Sequence, residues 1–195
     1  MAKNILIILC SHPHDRGSRL ASAIGDERAR AVYEYLLGVT VEIADSFPFE
    51  KAVFYAERIQ HEDGWDNHRY TKNLQVGNDY GERMQNAFSW AFASGFKNVC
   101  VIGTDCHGLT SEIIDKAFEF LDDGEAIIGP AKDGGYYLLG LNKMYPELFE
   151  GKSWGSYTVL DDTLQDFDRL ELQYGKLPVL VKVNEKRDLP TRLKF

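Results

Sequence analysis

What the sequence lacks narrows the field first. It has no run approaching the roughly 20 apolar residues that a membrane-spanning helix requires, so no transmembrane segment is expected. It has only three cysteines, Cys10, Cys100 and Cys106, an odd number without metal-type spacing. That argues against a disulfide framework and a cysteine-built zinc site, and a reducing, cytoplasmic setting is the simplest expectation. Basic charge is also scarce: 22 Lys and Arg against 30 Asp and Glu give a net charge of −8. Such a balance repels a phosphate backbone, and no basic stripe with interleaved aromatics is present, which argues against nucleic acid as a partner. There is no internal repeat, low-complexity tract or linker, so residues 1–195 read as one domain. The opening residues MAKNILIILC lead straight into SHPHDRGSR with no small-residue cleavage site. This is the pattern of a first core strand rather than of a signal peptide.

What is present is an alternation of apolar runs and helical stripes. Ile5 to Leu9 reads as a buried strand stopped by Ser-His-Pro. Val32, Leu36, Val39, Ile43 and Phe47 then hold one helical face, although the string VTVEIA within it also alternates like a strand. Lys51 to Ala56 is the next strand candidate. Asp79 is a plausible cap for a helix with a Met84, Phe88, Ala91 and Phe92 stripe that stops at Gly95. Asn98 to Gly103 is a buried strand, and a helix capped by Thr110 or Ser111 runs to Gly124. Ala126 to Ile128 and Tyr136 to Leu141 are strands, a helix spans about Thr158 to Leu170, and Pro178 to Val183 closes the set as a strand. Strands alternating with helices imply an α/β domain, a mainly parallel sheet with helices on both faces. In such sheets, ligands bind beyond the carboxyl ends of the strands.

Two segments place polar groups at those ends. In VIGTDCHGLT, residues 101–110, an apolar strand ends in Gly103 and Asp105 follows. A carboxylate there can hold a divalent cation that in turn holds a diphosphate, or it can simply turn the loop before the next helix. In GPAKDGGYYLLGL, residues 129–141, Pro130 stops a strand and Gly134-Gly135 permits unusual dihedrals and close approach of a ligand to the backbone. Asp133 is thereby presented at a turn, and Asp-Gly is equally the signature of a hairpin.

The order G-T-D-C-x-G-L-T, a helix, then G-P-A-x-D-G-G-Y-Y-L-L-G-L resembles the selenodomain-associated transferase, type 1 family. LQVGNDYGERMQNAF (residues 74–88) and LFEGKSWGSYTVLDDTL (residues 148–164) extend that resemblance over essentially the whole chain, and DGGYYLLGL is its most specific part. The resemblance implies a three-layer α/β/α domain of the nucleotide-diphospho-sugar transferase type, GT-A and Rossmann-like. It implies a metal-dependent glycosyl transfer from a nucleotide-diphospho-sugar to a small-molecule acceptor. The family is also similar to the guanylyltransferases of phospholactate and molybdenum-cofactor pathways, so nucleotidyl transfer stays open. By this resemblance Asp105 binds a divalent cation, Mn or Mg, and Asp133 faces the acceptor or a second metal position. Gln75, Gly77 and Arg83 lie near the nucleotide, Gly134 and Gly135 border it, and Tyr136, Tyr137 and Trp154 are candidates to line the cleft.

Three departures from the pattern matter. Where the family carries K-x-P-x-x-G-x-x-K-T-R-L after the first strand, this chain has SHPHDRGSRL, which lacks both lysines. Arg16 or Arg19 is left to supply positive charge to the donor phosphates, and the loop Ser11–Ser18 is expected to be mobile or collapsed without ligand. Where the family reads D-V-D-T-x-x-D-L near the C-terminus, this chain has Lys182, Val183, Asn184 and Glu185 through Leu189, so both leading acids are gone. His107 stands where the family commonly has proline, two residues after Asp105, and is read either as a second metal ligand or as a loop histidine. Together these changes keep a third reading open, a ligand-binding relative that has lost turnover.

Overall fold

A computed structural model describes residues 3–10 and 19–193. Strand β1 (Asn4–Cys10) is buried along its length, and its side chains alternate between two cores. Ile5, Ile7 and Leu9 enter one core, while Leu6, Ile8 and Cys10 enter the other. With both sets of side chains buried, β1 is an interior strand of a sheet covered on both faces. The remaining strands are β2 (Glu50–Tyr55), β3 (Tyr70–Leu74), β4 (Asn98–Gly103), β5 (Cys106–His107), β6 (Ala126–Pro130), β7 (Tyr136–Leu141), β8 (Tyr174–Lys176) and β9 (Val181–Lys182).

Seven of them form one sheet in the order β3-β2-β1-β4-β7-β6-β8. β1 pairs in parallel with β2 and β4, β2 with β3, and β6 with β8. β7 alone runs against its neighbours β4 and β6. The sheet is therefore mainly parallel, as the strand-helix alternation implies, with one reversed strand supplied by the β6-β7 hairpin.

Helices α1 (Arg19–Ile24), α2 (Asp26–Asp45), α3 (Tyr80–Ala93), α4 (Ser111–Leu121) and α5 (Val159–Arg169) complete the domain. Met84, Ala87, Phe88 and Ala91 of α3 pack with Val159 and Phe167 of α5 on one face of the sheet. Ala44 of α2 and Ile114, Ala117, Phe118 and Leu121 of α4 pack on the other. VTVEIA is helical, and the buried face of α2 is Val32, Leu36, Thr40 and Ala44. It steps by four throughout, with Val39 and Ile43 at its margin. Thr40 fits there because its hydroxyl donates to the Leu36 carbonyl at 2.9 Å.

Asp79 does cap α3, accepting from the Glu82 N–H at 2.8 Å. Thr110 precedes α4 without a side-chain cap bond. Two corrections concern strands. β3 and β8 are sheet members that apolar runs do not mark, since YTKNL and YGK are polar edge segments. The expected strand Pro178–Val183 shrinks to Val181–Lys182 and joins β5 in a separate two-stranded ribbon.

Candidate active site

The carboxyl ends of β4 and β6 open into one cleft lined by, among others, Arg19, Asp105, His107, Lys132, Asp133 and Lys182. Asp105 follows β4 directly. A β-carbon on Gly103 would come within 2.8 Å of the Asp105 Oδ1, so the glycine lets the carboxylate fold back over the strand end. Asp133 sits in the β6-β7 turn, closed by Ala131 N–H to Gly135 O at 2.9 Å. Its Oδ1 accepts from the Gly135 N–H at 3.0 Å, the geometry of an Asx turn. Both readings of Asp133 hold at once: it shapes a hairpin and faces the cleft.

The segment after β8 completes the site. Leu180 bonds Pro130 and Lys132 through the backbone, both at 3.0 Å, which lays the chain beside the β6-β7 turn. It then pairs with β5, Cys106 opposite Lys182 and His107 opposite Val181, and the Val183 N–H donates to the Asp105 carbonyl at 2.8 Å. This register delivers two side chains. The Lys182 Nζ lies 3.3 Å from the Asp105 Oδ2, with the lysine side chain 21% exposed. The Asn184 Nδ2 donates to the Asp133 Oδ2 at 2.7 Å.

Each acid is thus matched to one of the two residues, Lys182 and Asn184, that stand where the resembled pattern has acids. The Asp105 carboxylate holds the Lys182 ammonium above its ordinary value of 10.5 against the opposing effect of burial, with Tyr80 and Asp133 adding to the rise. Burial pushes the Cys106 thiol up to about 12, so it is inert as a nucleophile near neutral pH.

The other expected residues divide. Arg19 lines the cleft at the start of α1; Arg16 and the loop Ser11–Ser18 lie outside the described residues. Gln75 donates from Nε2 to the Cys10 and Phe54 carbonyls, both at 2.9 Å, and ties β1 to β2. Gly77, with φ +139, packs on Glu82 at the start of α3, and the Arg83 Nε donates to the Gly77 carbonyl at 3.2 Å. Gly77 and Arg83 build the turn into α3, and none of the three is among the described residues that line the cleft. Gly134, with φ +83, has the Tyr157 carbonyl 2.1 Å from where a β-carbon would stand. Its missing side chain accommodates the loop before α5. Gly135, Tyr136 and Trp154 line the cleft, whereas Tyr137 is core, its hydroxyl donating to the Pro178 carbonyl at 3.0 Å. Lys132 and Tyr80 were not anticipated; Lys132 was legible as the x of A-x-D-G-G, and Tyr80 had no signal.

A divalent cation does not fit these residues as they stand. Among the described residues no three His, Cys, Asp or Glu side chains converge, His107 included. A cation at ~2.0–2.6 Å from an Asp105 oxygen would lie about 5 Å from the Lys182 ammonium, where repulsion is on the order of 6 kcal/mol at an effective dielectric near 20.

The fold is shared with known structures. A Desulfovibrio desulfuricans G20 protein, described provisionally as a nucleotide-diphospho-sugar transferase, is 27% identical, with a TM-score of 0.87 over 96% of this chain and 85% of that one. A cytidylyltransferase from Leptospira borgpetersenii is 15% identical, with a TM-score of 0.56 over 91% of this chain and 76% of its own. Glucosyl-3-phosphoglycerate synthase from Mycobacterium tuberculosis, determined with Mn²⁺, uridine diphosphate and glucosyl-3-phosphoglycerate, is 12% identical, with a TM-score of 0.55 over 92% and 71%. The fold is therefore that of the nucleotide-diphospho-sugar transferases, GT-A-like. No curated protein matches the chain in sequence. With residues 39–156 matched, well over half its length, the chain belongs to the family described as "Uncharacterized protein conserved in bacteria (DUF2064)".

Proposed function

We propose that the protein transfers a glycosyl group from a nucleotide-diphospho-sugar to a small-molecule acceptor, in line with its resemblance to the selenodomain-associated transferases. The observation that carries this reading is that Asp105 and Asp133 line one cleft beyond the carboxyl ends of β4 and β6, where such sheets bind ligands. In the reaction the bond from the anomeric carbon to the diphosphate oxygen breaks, and its electron pair leaves with the diphosphate. An acceptor oxygen bonds to the carbon, and its proton passes to Asp133. Asp133 suits that role because the Gly135 N–H and the Asn184 amide hold its carboxylate in a fixed direction while it stays exposed. The chief electrostatic task is the charge that builds on the leaving diphosphate. No step is assigned to a metal ion, because Lys182 stands against Asp105.

The Leptospira cytidylyltransferase matches the fold as closely as the mycobacterial synthase does, so nucleotidyl transfer is the second reading. A thermal-shift series separates the two through mass action. Nucleoside diphosphates and triphosphates are compared, each with EDTA and with Mn²⁺ or Mg²⁺. Stabilisation by diphosphates supports glycosyl transfer, and stabilisation by triphosphates alone supports nucleotidyl transfer. Silence toward every nucleotide overturns both and leaves a binding or scaffold relative.

A further inference from the structure

Lys182 raises a question that the transferase reading leaves open: what neutralises the donor diphosphate. We propose that the chain supplies this charge itself, with the Lys182 ammonium standing against Asp105 in the place of a divalent cation, so that the protein binds a nucleoside diphosphate without metal. The inference rests on the transferase reading.

Three observations carry it. First, Lys182 is built in rather than draped over the surface. Its strand pairs with β5, the Val183 N–H is bonded to the Asp105 carbonyl at 2.8 Å, and its side chain is only 21% exposed. Second, the ammonium has three N–H donors. Asp105 at 3.3 Å engages one direction, and the others are available to phosphate oxygens. An ion bridging a carboxylate and a diphosphate does the same by coordination. Third, Lys182 cancels the charge of Asp105, so this acid no longer repels a diphosphate, and the net positive charge comes from Arg19 and Lys132. Arg19 and Lys132 line the same cleft from separate segments and have no ion-pair partner among the described residues. They supply local attraction in a cleft whose lining also carries Asp26, Glu27, Asp79, Asp133, Glu185 and Asp188. The lysine keeps its proton throughout, and its role ends with release of the diphosphate.

Titration calorimetry with UDP, GDP, CDP and ADP tests this on the full chain, in EDTA and in Mn²⁺. The parent should bind at least one of the four in EDTA, with Mn²⁺ changing the affinity less than threefold. Lys182→Met should weaken EDTA binding at least tenfold while keeping a melting temperature close to the parent's, and Lys182→Arg, which keeps the charge, should recover part of that loss. Lys182→Asp should lose binding in EDTA and regain it in Mn²⁺, because a second carboxylate joins Asp105. A parent that binds only in Mn²⁺ overturns the inference and leaves the transferase reading standing. So does a Lys182→Met that binds as tightly as the parent in EDTA. A parent that binds none of the four in either buffer overturns the transferase reading and the inference with it.

Discussion

Gly134 illustrates how a single residue in the most specific motif divides between scaffold and site. Its φ of +83 disfavours any L side chain, and a β-carbon would stand 2.1 Å from the Tyr157 carbonyl. The Leu160 N–H also donates to the Gly134 carbonyl at 2.9 Å, so the turn and the start of α5 are locked together. Gly134→Ala should therefore cost about 2–4 kcal/mol, combining backbone strain with a backbone clash. For a chain of this size that is a melting temperature lower by roughly 5–12 °C. Gly135→Ala, whose new carbon meets only the Asp133 carboxylate, its Oδ1 at 3.3 Å, should shift it by about a degree or two. Calorimetric melts of both variants would decide it, and equal shifts would refute the scaffold role of Gly134. Asp105 and Asp133 were legible in the sequence because each follows an apolar strand and stands in a distinctive motif. Lys182 and Asn184 were legible only as lost acids. That they face the two carboxylates depends on β5-β9 register, which a two-residue strand does not announce.

At the level of elements, the loop that carries Trp154 and Tyr157 into the cleft is fastened by charge. Lys152, its side chain 2% exposed, pairs with Asp166 of α5, and Arg169 joins from one turn on at 2.8 Å. Burial acts to raise the Asp166 carboxyl, but the hydrogen bonds and charges of Lys152 and Arg169 outweigh it and hold it below its ordinary value of 3.8. A depressed folded value means stability that is present above the unfolded value and lost as pH falls through the folded one. Asp166→Asn should cost about 3 kcal/mol at pH 7, since it strands a buried ammonium. The gap between parent and variant in urea denaturation should stay level from pH 8 to pH 5 and narrow below 3.8. A gap that widens on acidification would contradict this account. Helices α3 and α4 were readable because their apolar stripes are long and each stops at a glycine, Gly95 and Gly124, whereas the six-residue α1 was not anticipated. β3 and β8 were not, because an edge strand half in water needs no apolar run. The final strand was overextended for a related reason: Val179 and Leu180 are apolar, but the segment divides, Leu180 bridging to Ala131 and only Val181 and Lys182 pairing with β5.

Across the whole molecule, stability and chemistry are unevenly distributed. The two large cores sandwich a continuous sheet, whereas the wall of the cleft rests on a third cluster of five buried residues, Leu20, Val32, Leu36, Val183 and Leu189. That cluster joins α1 and α2 to the segment after β9, and the ribbon above it has two residues per strand. Little apolar area and few ladder bonds mean a low local free energy of opening. Amide hydrogen exchange should therefore be fast over residues 181–189 and slow, near the global limit, over β1 and β4. The same segment carries Lys182 and Asn184, so a ligand that uses them must hold the ribbon closed. With a nucleoside diphosphate at a hundred times its dissociation constant, linkage adds about 2.7 kcal/mol to any opening that destroys the site. Exchange over residues 181–189 should slow by up to about 100-fold, where opening of the ribbon limits it. Protection that appears only in β1 and β4, with the ribbon unchanged, would mean that the ligand binds without Lys182 and Asn184. The cleft would then belong to a different set of residues.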